Sequence, residues 1–393
     1  MDIRERVLSR LKLFGLFVLG IACASSCISE ALARNCTRIL VFCLILNFVL
    51  SPKSIKKILK FRMVCASIFI WFLVQCVSLM YSGHMVEFLD NNTFTMNYIM
   101  LLIIAGTMYI KSSEHAMNLL LIIFASVFVN DIYVFFQTMN GINRPSSLVA
   151  PGVIVTTMIY AIALPAMVAV FFYTGLSKFK RLAVAICIIA SLAGLICSNT
   201  RGAWLVLLPL VFFMFMYYMP DWKKRLLFSL SCIIIGGALL FSFSSVMHRA
   251  NTIVHGGQEN SVTERFRMWH SAYNMGMDYP IFGVGKGNYA ELYQTKYISP
   301  KATEPTQRHA HNTFIQTFAE MGMIGELAYL SMIVFLVMLG IKNYKNNFGM
   351  AFLGATLGLL LYSLTDYTLA VYSAMRLYWL LSGICIAGIY ISK

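Results

Sequence analysis

Twelve apolar stretches, each about long enough to cross a bilayer, leave this chain few ways to fold. They fall at about 11–28, 33–51, 63–80, 95–110, 116–138, 152–174, 182–199, 202–219, 226–244, 312–341, 348–364 and 371–391. A helix needs about 20 such residues to cross about 30 Å of hydrocarbon. In that solvent the backbone must satisfy its own hydrogen bonds, so these stretches are expected to be helical. The predicted class is an all-α integral membrane protein of about twelve transmembrane helices. Composition agrees: 59% of the 393 residues are hydrophobic and 12% are charged. A soluble fold carries about 25% charged residues and has too little interior for so much apolar surface. The first stretch has the length of a signal peptide. No small-residue cleavage site with a soluble chain follows it, so it is read as a retained span.

The chain carries 31 basic and 16 acidic residues, a formal charge of +15. In a soluble protein that excess would suggest nucleic acid; the apolar content excludes this reading. The charges instead predict orientation. With the N-terminus in the cytoplasm, nineteen basic residues fall on the inner side, among them Arg4, Lys57, Arg181, Lys224 and Lys342. Only Arg34, Arg38, Arg144, Arg201 and Arg376 fall on short outer segments, and seven more lie in one long outer loop. This contrast predicts an even number of spans with both termini cytoplasmic. The chain then divides into helices one to nine (1–244), a large outer loop (245–311) and helices ten to twelve (312–393). The ten cysteines all lie in or beside spans and read as packing residues. No CxxC pair, HExxH, Walker A loop, GxGxxG or GxSxG appears, so no metal and no cofactor is expected.

The outer loop holds most of the polar chemistry. Ser261-Val-Thr-Glu264 reads as a capping box and predicts a helix over about 261–277. Phe266, Trp269 and Tyr273 recur at helical spacing and form a stripe for the membrane or the bundle. A glycine-rich turn, Tyr279-Pro-Ile-Phe-Gly-Val-Gly-Lys-Gly-Asn288, follows, and the loop ends at Arg308-His-Ala-His311-Asn312. His248, Arg249, His255, Glu259 and His270 also fall in this region.

Several residues could do chemistry, and each has a plainer reading. Arg201 lies between two spans with almost no loop; it is either an anion clamp or a snorkelling interfacial arginine. Arg265 is a second clamp or the partner of a nearby acid. His311 suits a general base, or is a structural histidine. Arg144 is a third anion contact or an interfacial arginine. Arg308, His309 and Asn312 adjoin His311 and are secondary candidates. Asp366 and Arg376 are expected to pair inside the membrane. Asn130, Asp131, Glu320 and Glu326 are polar residues on spans. Together, two outward arginines and a histidine suit a phosphate-bearing lipid at the outer leaflet.

The motifs carry a family resemblance. His311-Asn312, nine residues, Gly322, two residues and Gly325 resemble the signature of the bacterial O-antigen ligase family. Asn199-Thr-Arg201-Gly-Ala-Trp204 is similar to its arginine motif, and Arg265-Phe-Arg-Met-Trp269 with Pro280 to Asn288 is similar to its periplasmic loop. The likeness is best over residues 195–330. It implies a C-type glycosyltransferase (GT-C) fold in the bacterial inner membrane, working at the periplasmic face. The implied donor is O-antigen polysaccharide on undecaprenyl diphosphate, and the implied acceptor is a sugar hydroxyl of lipid A–core oligosaccharide. It implies His311 as the catalytic base, Arg201 and Arg265 as diphosphate ligands, and metal-independent transfer with inversion. An O-antigen polymerase, or another periplasmic glycan transferase of that superfamily, shares the layout. A lipid-linked glycan transporter is the non-enzyme alternative, with Asp131 as its main hint.

Overall fold

The computed structural model describes residues 3–82, 97–242 and 260–392. The ends of two expected spans, residues 95–96 and 243–244, lie outside these, as do His248, Arg249, His255, Glu259 and Lys393. The described residues form helices and turns, with no strand among them. The helices are α1 (Ile3–Ser25), α2 (Glu30–Leu50), α3 (Arg62–Ser82), α4 (Leu102–Tyr109), α5 (Ser113–Met139), α6 (Val153–Phe171) and α7 (Lys178–Cys197). They continue with α8 (Arg201–Tyr218), α9 (Trp222–Ser242), α10 (Asn260–Asp278), α11 (Thr313–Lys342), α12 (Asn347–Ser363) and α13 (Tyr372–Ile391). Serine side chains mark several starts: Ser29, Ser112 and Ser177 accept from backbone amides of α2, α5 and α7.

Every expected span overlaps a helix. Nine of the described helices are long and apolar enough to cross a membrane. The apolar helices Asn97–Tyr109 and Asn347–Ser363 are shorter than that. All ten cysteines are free, in keeping with a packing role.

The centre of the bundle is set by α6 and α13. In α6, 94% of the most apolar window is buried, against 22% in the peripheral α8. A helix apolar all round is stable in the middle of a bundle or against lipid. α12 packs on α6, α4 on α13 and α11 on α3. Small residues allow the closest approach: a methyl group at Gly106 of α4 would stand 2.2 Å from the carbonyl carbon of Gly383 on α13. Without a hydrophobic force between helices in lipid, such contacts hold the bundle by van der Waals packing. Outer helices turn Phe14, Phe17, Phe42, Val49 and Phe69 outward, as lipid-facing surfaces do.

The expected Asp366–Arg376 pair does not form. Arg376 on α13 is buried and donates to both carboxylate oxygens of Glu30 at the start of α2, at 2.8 and 2.9 Å. The nine residues between Asp366 and Arg376 include the turn into α13, and that turn points the two side chains at different helices. Asp131 on α5 accepts from Ser191 of α7 at 2.7 Å.

The outer loop is ordered where it is described. α10 covers the predicted helix, and of the two settings open to the aromatic stripe, Phe266 and Tyr273 take the one away from the bundle. Met268, Ala272 and Met275 are buried against α11, whereas Phe266 and Tyr273 are exposed. The flexible methionines fill the contact, and two of the three aromatics face outward. The Glu264 carboxylate accepts from Arg267 and from the Thr303 amide. The glycine-rich turn is laced to α11, which breaks at Gly322 (φ 61°, ψ −160°). Ala319 and Glu320 carbonyls accept from Val284 and Gly285, and the Met323 amide donates to Pro280. The turn thus satisfies backbone groups that the break removes from the helix ladder. Side chains do not fit here: a Cβ at Gly322 would lie 2.5 Å from the Ile281 carbonyl carbon.

Candidate active site

The site is assembled around a short turn, residues 364–367, between α12 and α13. Its backbone and side chains receive three separate elements. Asn312 caps α11: its Oδ1 accepts from the Phe314 and Ile315 amides at 3.0 and 3.1 Å. Its Nδ2 donates to the Leu364 carbonyl at 3.0 Å. This ties the start of α11 to the turn and fixes the residue before it. That residue, His311, has φ +50°, a conformation uncommon outside glycine and seen at functional positions. Its Nδ1 lies 3.1 Å from Asp366 Oδ1. Arg265, from the first turns of α10, donates to the Thr365 carbonyl at 2.5 Å.

Asp366 is the buried centre of this cluster, 3% exposed. Burial pushes its carboxyl up. The His311 hydrogen bond, the positive charge of Arg265 and the Tyr367 amide outweigh burial and hold it below the usual carboxylate range. An ionised carboxylate only accepts, so the proton on His311 sits at Nδ1, facing Asp366. Whenever the ring is neutral, Nε2 is the acceptor nitrogen. His309 stands against His311, with ring centroids 4.4 Å apart, and also meets Tyr367. Burial and the neighbouring charges of His311, Arg265 and Arg308 push the His309 imidazole down to about 4. His309 is therefore neutral near pH 7.

Two more segments reach this end of the molecule. Asn130 accepts from Ser147 Oγ at 2.7 Å and from the Leu148 amide at 2.9 Å. Gln137 donates to the Ser146 carbonyl and accepts from its amide. These two polar residues of α5 pin the segment that carries Arg144. Asn199 then donates to the Asn143 carbonyl at 2.8 Å, joining that segment to the one carrying Arg201. Arg201 is the first residue of α8. Its neighbour Gly202 lies beside Thr365, so close that a Cβ would sit 3.3 Å from the threonine Cβ. The charges of Arg144 and Arg265 both bear on the Tyr362 hydroxyl, one turn before the hub.

Residues from distant parts of the sequence thus meet at one end of the bundle. His311 bonds Asp366, Arg265 and Asn312 bond the same turn, His309 packs on His311 with the charge of Arg308 bearing on it, and Arg201 and Arg144 are carried on adjoining segments. Arg376, paired with Glu30, lies outside the cluster. Sequence reasoning missed Asp366 as the partner of His311. Its cue was positional: an acid at the outer end of a span, level with the outer start of the tenth. Asn312 caps α11 and ties its start to the turn. Among the described residues, His309, His311 and Asp366 each offer one metal-ligand atom within 4.8 Å of the others. The charges of Arg265 and Arg308 act on the same spot and oppose a dication there.

A second buried polar group fixes the loop. Lys286 donates its backbone amide to Ser78 Oγ at 3.0 Å and its ammonium to Gln75, both on α3. Glu320 accepts from the Gly287 amide at 3.2 Å and is the carboxylate nearest in charge to Lys286. Burial pushes the Lys286 ammonium down to about 8, with Glu320 opposing the shift. These bonds anchor the glycine-rich turn to α3 and α11.

Residues 185–330 match the family model described as O-antigen ligase. The matched region runs from α7 into α11 and includes Arg201, Arg265 and His311; Asp366 lies beyond it. A curated relative, an uncharacterized protein of Haemophilus influenzae, is 25% identical over 163 residues. That alignment covers 38% of this chain and 41% of the relative, well under two thirds of either.

Proposed function

We propose that this chain, which carries an O-antigen ligase family domain at residues 185–330, is a periplasmic-face glycosyltransferase of the bacterial inner membrane. It takes O-antigen polysaccharide from undecaprenyl diphosphate and attaches it to a sugar hydroxyl of lipid A–core oligosaccharide. The observation that carries the reading is the His311–Asp366 hydrogen bond set among arginines. The bond holds the imidazole in one tautomer, with Nε2 turned to the reaction as the proton acceptor.

The chemistry follows from these groups. His311 Nε2 takes the proton of the acceptor hydroxyl as its oxygen attacks the anomeric carbon. The bond from that carbon to the diphosphate oxygen breaks, and undecaprenyl diphosphate leaves with the electron pair. Attack and departure lie on opposite faces, so the anomeric configuration inverts. Arg201 and Arg265 grip the diphosphate, and their charge stabilises it as it departs. Arg144 and Arg308 extend the positive surface. Asp366 stabilises the imidazolium formed in the step. His309, neutral beside His311, adds no competing charge. Neither metal nor ATP is required, because the lipid diphosphate is already an activated leaving group. Twelve spans with both termini cytoplasmic, and a GT-C arrangement, complete the proposal; the nineteen inner basic residues support that orientation.

A strain lacking the protein tests the reading. It should lose polymer from lipid A–core while long polymer accumulates on the carrier lipid. Accumulation of single repeats on the carrier would point to a polymerase instead.

A further inference from the structure

A cavity at the far end of α10 has the composition of a carbohydrate site. It encloses about 330 Å³ and is lined by Tyr81, Tyr279, Val284, Leu292, Lys296 and Tyr297. That volume lies within the range of small-molecule clefts. Tyr81 and Tyr279 are 58% and 44% exposed, so their rings are not held there by core packing. At the rim, Tyr297 donates to Asp278 Oδ2 at 2.6 Å, and Lys296 reaches the same oxygen at 3.3 Å and the Tyr297 hydroxyl at 2.9 Å. The Lys296 ammonium also lies 4.7 Å from the Tyr297 ring centre and 5.9 Å from that of Tyr279. So exposed a network adds little stability. It does hold two aromatic rings and three polar groups in a fixed arrangement.

The chemistry selects the ligand class. Aromatic faces pack against the C–H face of a sugar ring, and a carboxylate, ammonium and phenol at the edge bind its hydroxyls. A phosphate headgroup fits less well, because Asp278 cancels the charge of Lys296. The position is also informative. Arg265 and Asp278 are both on α10, thirteen residues apart in sequence, or about 20 Å along a helix. One helix therefore joins the diphosphate-gripping end to the aromatic cavity.

We infer that the cavity lined by Tyr81, Tyr279, Lys296 and Tyr297 is a distal glycan subsite, binding a sugar unit about 20 Å from the diphosphate clamp. The inference rests on the glycan-transferase reading for its ligand class. The subsite grips polysaccharide while its linkage end is at His311, and it favours long donors over short ones.

Binding to the purified full-length protein in nanodiscs tests this without turnover. The probes are polysaccharide released by mild acid from the strain's own lipopolysaccharide, core oligosaccharide from the deletion strain, and phosphatidylglycerol vesicles. Polysaccharide should bind the wild type, and about tenfold more weakly to Tyr297→Ala, the scale of one lost aromatic contact. Lys296→Gln, a milder change, should weaken it severalfold, with the unfolding temperature unchanged. His311→Ala should bind as the wild type does. If the core oligosaccharide binds as tightly as the polysaccharide, which carries the same core, and shows the same losses, the donor subsite is overturned. Equal binding of all glycans by wild type and variants, or an effect confined to the vesicles, overturns the inference. A protein that binds glycan at these tyrosines but transfers none would refute the proposed reaction and leave the subsite standing.

Discussion

Two half-buried polar contacts near the ends of spans show opposite designs. Arg376 meets Glu30 with two parallel hydrogen bonds, at 2.8 and 2.9 Å, between α13 and α2. Both carboxylate oxygens are used, and the geometry serves packing. His311 meets Asp366 through one ring nitrogen only. In the proposed reaction the other ring nitrogen takes the substrate proton; Arg265 of α10 donates to the same turn, and Gly202, next to Arg201, lies beside it. In one contact the groups bind each other; in the other, one group aims its partner. The difference teaches that depth or charge alone does not mark function in this chain. In the proposed reaction, what marks it is reactive capacity left unspent after the structural bonds are made.

The comparison can be broken at either contact. His311→Ala should have the largest effect on activity, lowering transfer by at least about a hundredfold, the scale of a lost general base. The variant should still insert and keep its unfolding temperature. Asp366→Asn comes next, with a fall in kcat of about a hundredfold and little change in KM, because the ring loses its enforced tautomer. Arg201→Lys and Arg265→Lys should each reduce kcat/KM by about tenfold or more, since lysine keeps the charge and loses the fork. Full activity in Arg201→Lys would make it a snorkelling residue. Arg376→Met should act on the other contact. It should lower thermal stability, measured in detergent, by about 1–3 kcal/mol, with the partial exposure of Glu30 limiting the loss. The folded fraction should keep its kcat.

The smallest effect concerns pH. The folded His309 sits near 4, below the ordinary value of about 6.5 for an unfolded chain. Between these values the unfolded chain binds more protons, so stability falls as pH drops from about 6.5 toward 4. His309→Gln should flatten that part of the stability profile, measured by thermal unfolding. An unchanged slope would show that other groups set it.

Much of this was legible in the sequence, and the misses have physical causes. Apolar runs located the helices because membrane spans must satisfy their backbones internally. Ser261 to Glu264 announced α10, and the glycines announced a close approach, found where Gly283 and Gly322 cross. The pairing of Asp366 was not legible. Asp366 and Arg376 are close in sequence, and only the turn before Tyr372 shows that they face different neighbours. The packing face of α10 stayed open in the sequence, between membrane and bundle, for a related reason. Aromatic spacing shows that a stripe exists, but it cannot show which side meets protein. Met268, Ala272 and Met275 fit against α11, and Phe266 and Tyr273 remain outside. Asn130 was legible only as a polar residue on a span; it pins the segment carrying Arg144, together with Gln137, which the sequence did not single out.

The most direct test is transfer by purified protein in the presence of a metal chelator. Wild type should move polymer from undecaprenyl diphosphate to lipid A–core in excess EDTA, and Asp366→Asn should leave only a trace of that activity. A strict need for divalent metal, with His309, His311 and Asp366 as its ligands, would contradict the account, and so would full activity in Asp366→Asn.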